Sequence, residues 1–291
     1  MSTDANLRRR RRVKVISWFF SAGCILATLI CIAMLLVLLW TVIRTGAQWL
    51  DADFLSSYPS RSPEKAGIRS ALAGSLWLMV LTAVISLPLG VGAAVYLEEY
   101  AARTRWRTLV QLNIANLAGV PSIVYGILGL GLFVQTFALG RSILSASLTL
   151  SLVVLPIIIL ATQEALRGVP DSIRHASYAL GATRWQTVWC QVLPASLPGI
   201  MTGVILALSR AIGEAAPLVA VGAVAFVRFS PTSLFDPFTA LPIQIFDWSG
   251  RPKAEFHEIA GAAIMVLLTL LITMNTVAVF VRYRFGKRIQ W

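Results

Sequence analysis

The sequence predicts an all-α integral membrane protein with six transmembrane helices, and three observations carry that expectation. The chain of 291 residues is 57% hydrophobic and only 13% charged, where an ordinary soluble domain carries roughly a quarter charged residues. Its apolar residues fall into six runs, at 16–43, 70–97, 109–138, 143–162, 197–224 and 259–281, each near or above the roughly 20 residues a helix needs to cross a bilayer. The runs are continuous, whereas a transmembrane barrel shows alternating segments of about 10 residues.

The elements follow in chain order. A basic tail, 1–15, contains LRRRRRVK and leads into the first run. It resembles the start of a signal peptide, but the run exceeds the usual 7–15 residues or so of an h-region and lacks an A-x-A exit. It is read as a retained first helix. The second run carries Gly90, Gly92 and Ala94, and the third Ala118, Ser122 and Gly126 at four-residue spacing, with Gly129 near the same stripe. Small residues so spaced let helices approach closely. Asn113, Asn116 and Ser122 are the polar residues of this stretch that could line a path instead. A transmembrane domain spans 68–283, and 284–291 is a second basic tail.

Basic residues set the orientation, because Lys- and Arg-rich loops stay cytoplasmic. Sixteen of the 25 fall on one side if the amino terminus is inside, among them Arg103, Arg105, Arg107, Arg167, Arg174, Arg184, Arg282 and Arg284. Both termini are therefore expected in the cytoplasm. The arginine run abuts an apolar helix, so topology and anionic lipid account for the net charge of +12 without a nucleic-acid partner. The long outer segment, 225–258, reads FVRFSPTSLFDPFTALPIQIFDW for much of its length, with Pro231, Pro237 and Pro242 interrupting helices. It suits either a docking surface or an interfacial lid.

Several chemistries are excluded. Cys24, Cys31 and Cys190 show no C-x-x-C spacing, and two histidines make no metal cluster; Cys24 and Cys31 are read as apolar filler. There is no G-x-x-x-x-G-K-S/T loop, and His257-Glu258 lacks the second histidine of a zinc protease because position 261 is Gly261. The chain is not expected to be an enzyme.

The most informative inner segment is 164–196. Pro170 and Asp171 suit the first turn of a short helix, with Ile173, Ala176, Tyr178 and Ala179 as one packing face. Gly181 permits a sharp turn, Thr183 caps a second helix bearing Trp185, Val188 and Trp189, and Pro194 and Pro198 are expected to end it. This segment resembles the E-A-A loop of ABC importer permeases. His175-Ala176-Ser177 stand at E-A-A, Gly181 at the glycine, Gln191 at the isoleucine and Leu193-Pro194 at L-P. ALGATRWQTVW followed by LPASLPGIMTG extends the likeness. NLAGVPSIVYGILGLGLF, SRAIGEAAPL and LPIQIFDWSGRPKAEFHEIA are similar to the A-type permeases of bacterial high-affinity phosphate importers (Pst), over 68–283.

The resemblance implies a type I ABC importer permease fold, with a coupling helix through which Ala176, Ser177, Ala179, Leu180, Gly181, Ala182 and Thr183 contact a cytoplasmic ATPase dimer. It further implies a homologous second permease, an external phosphate-binding protein, phosphate as cargo and the bacterial cytoplasmic membrane as location. ATP and magnesium would be bound by the ATPase, with no cofactor in this chain. A related oxyanion such as phosphonate or molybdate, or a membrane sensor or scaffold, remains the alternative. The family often carries an arginine where this chain has Ala161.

Arg210 and Glu214 stand out because they interrupt the apolar fifth run four residues apart, on one helix face. A lone charge at that depth costs at least ~2.5–3.5 kcal/mol, so the two face protein or water. Guanidinium binds phosphate oxygens bidentately, and a neighbouring carboxylate keeps that binding weak enough for release. With Asn116 and Ser122 they form the candidate substrate path, the competing reading being an ion pair that fixes two helices together.

Overall fold

The computed structural model describes residues 2–224 and 226–286, and the regular elements among them are all helical. They are α1 (Ser2–Gly46), α2 (Ala52–Ser56), α3 (Arg69–Val95), α4 (Arg105–Ala118), α5 (Ser122–Gly129), α6 (Ile143–Arg167), α7 (Asp171–Ala179), α8 (Arg184–Thr187), α9 (Leu193–Ala211), α10 (Ala216–Val221), α11 (Leu241–Ser249) and α12 (Ala254–Gly286). Wide π-type turns, Tyr96–Tyr100, Leu130–Thr136 and Val188–Val192, extend α3 and α5 and join α8 to α9. The side chains of residues 8–12, with Lys287 and Arg288, lie outside the described set, so the basic tails of the sequence reading are not described.

α6 is the central post. Ser142 accepts from the Ser145 amide at its start, and Gly168 follows its end. Most of its surface is covered, by α3 on one side and α9 on another. Small residues permit this. A Cβ on Gly90 of α3 would lie 2.6 Å from Ile158, and one on Gly199 of α9 would lie 2.8 Å from Ala165. Gly203 sits so close to the Ala161 methyl that neither position has room for a larger side chain. Two hydroxyls buried in this post return to their own backbone, Thr149 to Ser145 O and Ser151 to Ser147 O, both at 2.7 Å. That keeps those two groups satisfied where water is absent.

α12 packs on α9 and α11, and α1 meets it where Gly46 lies on Gly261 and Ala262. Most of the described side chains of α1, Trp18, Leu29 and Trp40 among them, are exposed; Cys24, Cys31 and Cys190 are exposed as well. The small-residue expectation holds at Gly90, Gly126 and Gly129, the last seated on Thr149, but Gly92 faces open space.

Four sequence expectations change. The third run is not one helix, because α4 and the α5 segment meet at 102°; Pro121 drives Val120 out of helical conformation, so Ala118 and Ser122 share no helical stripe. The fifth run breaks after Ala211 and resumes at Ala216. Pro194 and Pro198 end nothing, since helical structure runs on from Arg184 to Ala211. Pro194 occupies the first turn of α9, where the missing N–H costs little. The aromatic outer segment is largely core: Phe238, Leu241 and Trp248 are buried, with the Leu241 amide donating to Ser75 Oγ at 2.8 Å. Phe226, Phe229, Phe235 and Phe246 of the same segment are exposed.

Candidate functional site

Two places gather the residues singled out in the sequence. The first is the turn between α7 and α8. Gly181 has φ +81°, and it closes α7 in a Schellman arrangement: its amide donates to Tyr178 O at 2.9 Å, and the Ala182 amide donates to Ser177 O at 3.2 Å. Thr183 then starts α8 with a capping box, its Oγ1 accepting from the Gln186 amide while Gln186 Oε1 accepts from the Thr183 amide. Ser177 turns inward, its hydroxyl 2.9 Å from that of Thr187. Ala176, Ala179, Leu180, Gly181 and Thr183 face outward, and Ala182 is half-buried.

The expected apolar packing face of α7 is therefore not used for packing within the chain. Ile173 alone joins a core cluster, with Leu166, Val169 and Val192. The helix is held at that rotation by Arg174, whose Nη2 reaches Glu99 Oε1 at 2.7 Å and Leu166 O at 3.0 Å, while Nη1 reaches Val169 O at 2.7 Å. Burial pulls the Arg174 guanidinium down, but its hydrogen bonds to Glu99 and the charges of Glu99 and Asp171 outweigh that and hold it above the usual arginine value. Leu180 is 89% exposed at the tip, and on the α8 side the exposed Trp185 and Trp189 stack with centroids 5.5 Å apart, so the turn presents an apolar knob.

The second place is the charge pair. Arg210 Nε donates to Glu214 Oε1 at 3.1 Å. The residues are not on one helix face, because Arg210 ends α9 while Glu214 lies in the break before α10. Position along the span follows from α12: Arg282, toward the basic end of that helix, donates to Thr202 Oγ1, and Arg210 lies eight residues, ~12 Å, further along α9. Arg210 thus lies at the end of the long apolar span Arg184–Ala211. Yet the Arg210 side chain is 47% exposed and Glu214 18%, and among the described residues the guanidinium has no second partner.

The α4–α5 bend borders the same break. α5 and α10 pack closely, Gly126 on Pro217 and Ala220, and beyond their carboxyl ends Gly222, φ +99°, lies on Arg141. The two helices thus run in one direction, and by register Ser122, a turn before Gly126, stands level with residues 213–216. Asn116 is exposed on α4, across the bend, and contacts neither charge. Two polar features were missed in the sequence. Asn275 of α12 accepts from Ser209 Oγ at 2.6 Å beside the pair; a lone asparagine in an apolar run was the available signal. Glu98 and Glu99, the acids of YLEEY, gather arginines of three elements, and two adjacent acids in an otherwise basic inner segment could have drawn notice.

Residues 86–291 match the family described as binding-protein-dependent transport system inner membrane component. The chain is 33% identical over 258 residues to the probable ABC transporter permease protein YqgI of Bacillus subtilis, covering 84% of this chain and 88% of that one. It is 34% identical over 286 residues to the phosphate transport system permease protein PstA 1 of Mycobacterium tuberculosis, covering 95% and 90%. In fold it is similar to a chain of a bacterial alginate ABC transporter solved with its periplasmic protein, with a TM-score of 0.66 and 14% identity over 90% of this chain and 92% of that one. A polytopic bundle with a protruding helical turn and a family match over most of its length together assign it: the chain belongs to the binding-protein-dependent transport system inner membrane components, the permeases of ABC importers.

Proposed function

We propose that this protein is the transmembrane subunit of an ABC importer that moves inorganic phosphate across the bacterial cytoplasmic membrane. The observation that carries the reading is an arginine–glutamate pair at the break of an apolar span, on a face the chain leaves open, in a protein a third identical to a phosphate permease over 95% of its length. An arginine in an apolar span cannot face lipid cheaply. It faces a second, homologous permease that closes an aqueous path between the two.

Arg210 offers its unengaged Nη1 and Nη2 to phosphate, and Glu214 competes for the guanidinium so that the anion leaves again. Ser122 borders this path by register, and Asn116 would join it only as part of the exposed α4 face. The α7–α8 knob docks in a cytoplasmic ATPase dimer, which binds ATP and magnesium and performs the hydrolysis. An external phosphate-binding protein delivers the cargo, and both termini lie in the cytoplasm.

The test is uptake of radiolabelled phosphate by proteoliposomes holding this chain, its partner permease and the ATPase, with the binding protein supplied outside. Uptake dependent on ATP and on the binding protein is expected. Uptake of phosphonate or molybdate in preference to phosphate would reassign the cargo.

A further inference from the structure

We infer that Glu99 and Arg174 form a positioning latch that makes α7 move together with α3, a side-chain link to that helix beside the backbone links of the docking turn to α6 and α9. The inference rests on the importer reading above and deepens it.

The carboxyl end of α3 widens into the turn Tyr96–Tyr100, and its two consecutive acids serve different neighbours. Glu98 binds Arg107 of α4 at 2.6 Å and also Arg167 at the end of α6, which in turn meets Glu164 at 2.9 Å. Among the described residues, Glu99 pairs with Arg174 alone. One acid therefore ties α3 to α4 and α6, and the other ties it to α7. Both partners of the second pair are sequestered, with Glu99 8% and Arg174 15% exposed, so water replaces their contact poorly.

α7 has few other attachments. Ile173 makes its apolar contact, and Ser177 meets Thr187 within the docking turn. The remaining anchors are the bonds from Arg174 to Leu166 O and Val169 O, which hold it to the end of α6. A force on Leu180 or Gly181 thus reaches α9 along the continuous helix from Arg184, reaches α6 through carbonyls, and reaches α3 through Glu99. Asp171 also meets Arg174, at 3.2 Å, but it belongs to α7 itself and transmits nothing outward. The pair lines a polar cavity of about 640 Å³ together with Arg103, Arg107, His175 and Arg184.

The test compares Glu99→Ala, Glu99→Gln, Glu99→Asp and Glu98→Gln in the full reconstituted importer, reading phosphate moved per ATP hydrolysed beside the melting temperature of the purified complex. Glu99→Ala should assemble and hydrolyse ATP while moving at least tenfold less phosphate per ATP. Glu99→Asp, which keeps the charge, should restore most of that ratio. Glu98→Gln, which alters the same turn without touching α7, should leave the ratio within about twofold of the unsubstituted complex. An unchanged ratio in Glu99→Ala, or an equal loss in Glu98→Gln, overturns the latch. Should Glu99→Ala fail to assemble, Glu99→Gln, which keeps the shape without the charge, decides: a ratio at least fivefold below that of Glu98→Gln supports the latch, and an equal one refutes it. If the unsubstituted complex moves no phosphate, the importer reading fails first and separately.

Discussion

The Nε of Arg210 lies 3.1 Å from Oε1 of Glu214 across the end of a helix, not along one. Between them the backbone leaves α9 and passes Gly213, so helical geometry does not fix their separation. A pair on one continuous helix face would be held at a set spacing; this pair can open by a local backbone change. That suits a site that must exchange an internal partner for an anion.

Gly181→Val should leave the protein inserted and folded but reduce ATPase capture in pull-downs at least tenfold. A β-branched residue at φ +81° is strained by about 1–2 kcal/mol or more even though open space surrounds the position, so the loss comes from the backbone of the Schellman turn. Gly181→Asn, which tolerates left-handed conformation, should retain most of the capture. Normal capture by the Val variant would remove this turn from the docking surface.

Gly74 and Gly92 lie on the same helix, α3, and should respond oppositely to alanine. A Cβ on Gly74 would overlap the backbone carbonyl of Thr239, which has no side chain to move aside, whereas one on Gly92 meets nothing within 4 Å. Gly74→Ala is expected to cost about 1–3 kcal/mol and to lower the melting temperature of the detergent-solubilised complex. Gly92→Ala should be neutral or slightly stabilising, since it removes helix-disfavouring freedom. Equal melting of the two would contradict the α3–outer segment packing.

Cysteines placed at Ser233 and Ser249 should react with an impermeant maleimide added outside cells, and those at Ser172 and Thr183 only after permeabilisation. All four positions are exposed. The expectation comes from the uneven Lys and Arg distribution, and the reversed labelling pattern would invert the topology.

The helical class, the existence of the spans and the α7–glycine–α8 turn were legible in the sequence because each rests on local chemistry: apolar run length, a capping threonine and a glycine that must be left-handed. What was not legible depended on partners distant in sequence. Val120-Pro121 announces a break, but the 102° turn it makes is set by packing of α5 on α10 through Gly126. Pro198 reads as a terminator, yet it is accommodated inside α9. Trp248 looks like an interface residue by composition and is buried against Phe54, with ring centroids 6.2 Å apart. The site divides the same way. The Arg210–Glu214 contact is a four-residue relation, while the Glu99–Arg174 contact spans 75 residues and needs the fold to exist.

The central claim is that Arg210 contacts the cargo rather than only neutralising Glu214. Phosphate uptake per assembled complex, measured for Arg210→Gln, Glu214→Gln and the double variant as a double-mutant cycle, tests it most directly. A structural pair removed as a whole leaves no unpaired charge and should restore transport, whereas a path residue cannot be replaced by a neutral amide. The account predicts that the double variant assembles but transports at least tenfold less than the unsubstituted complex, and that Arg210→Lys, which keeps the charge without the planar fork, is also strongly impaired. Near-normal uptake by the double variant would contradict it.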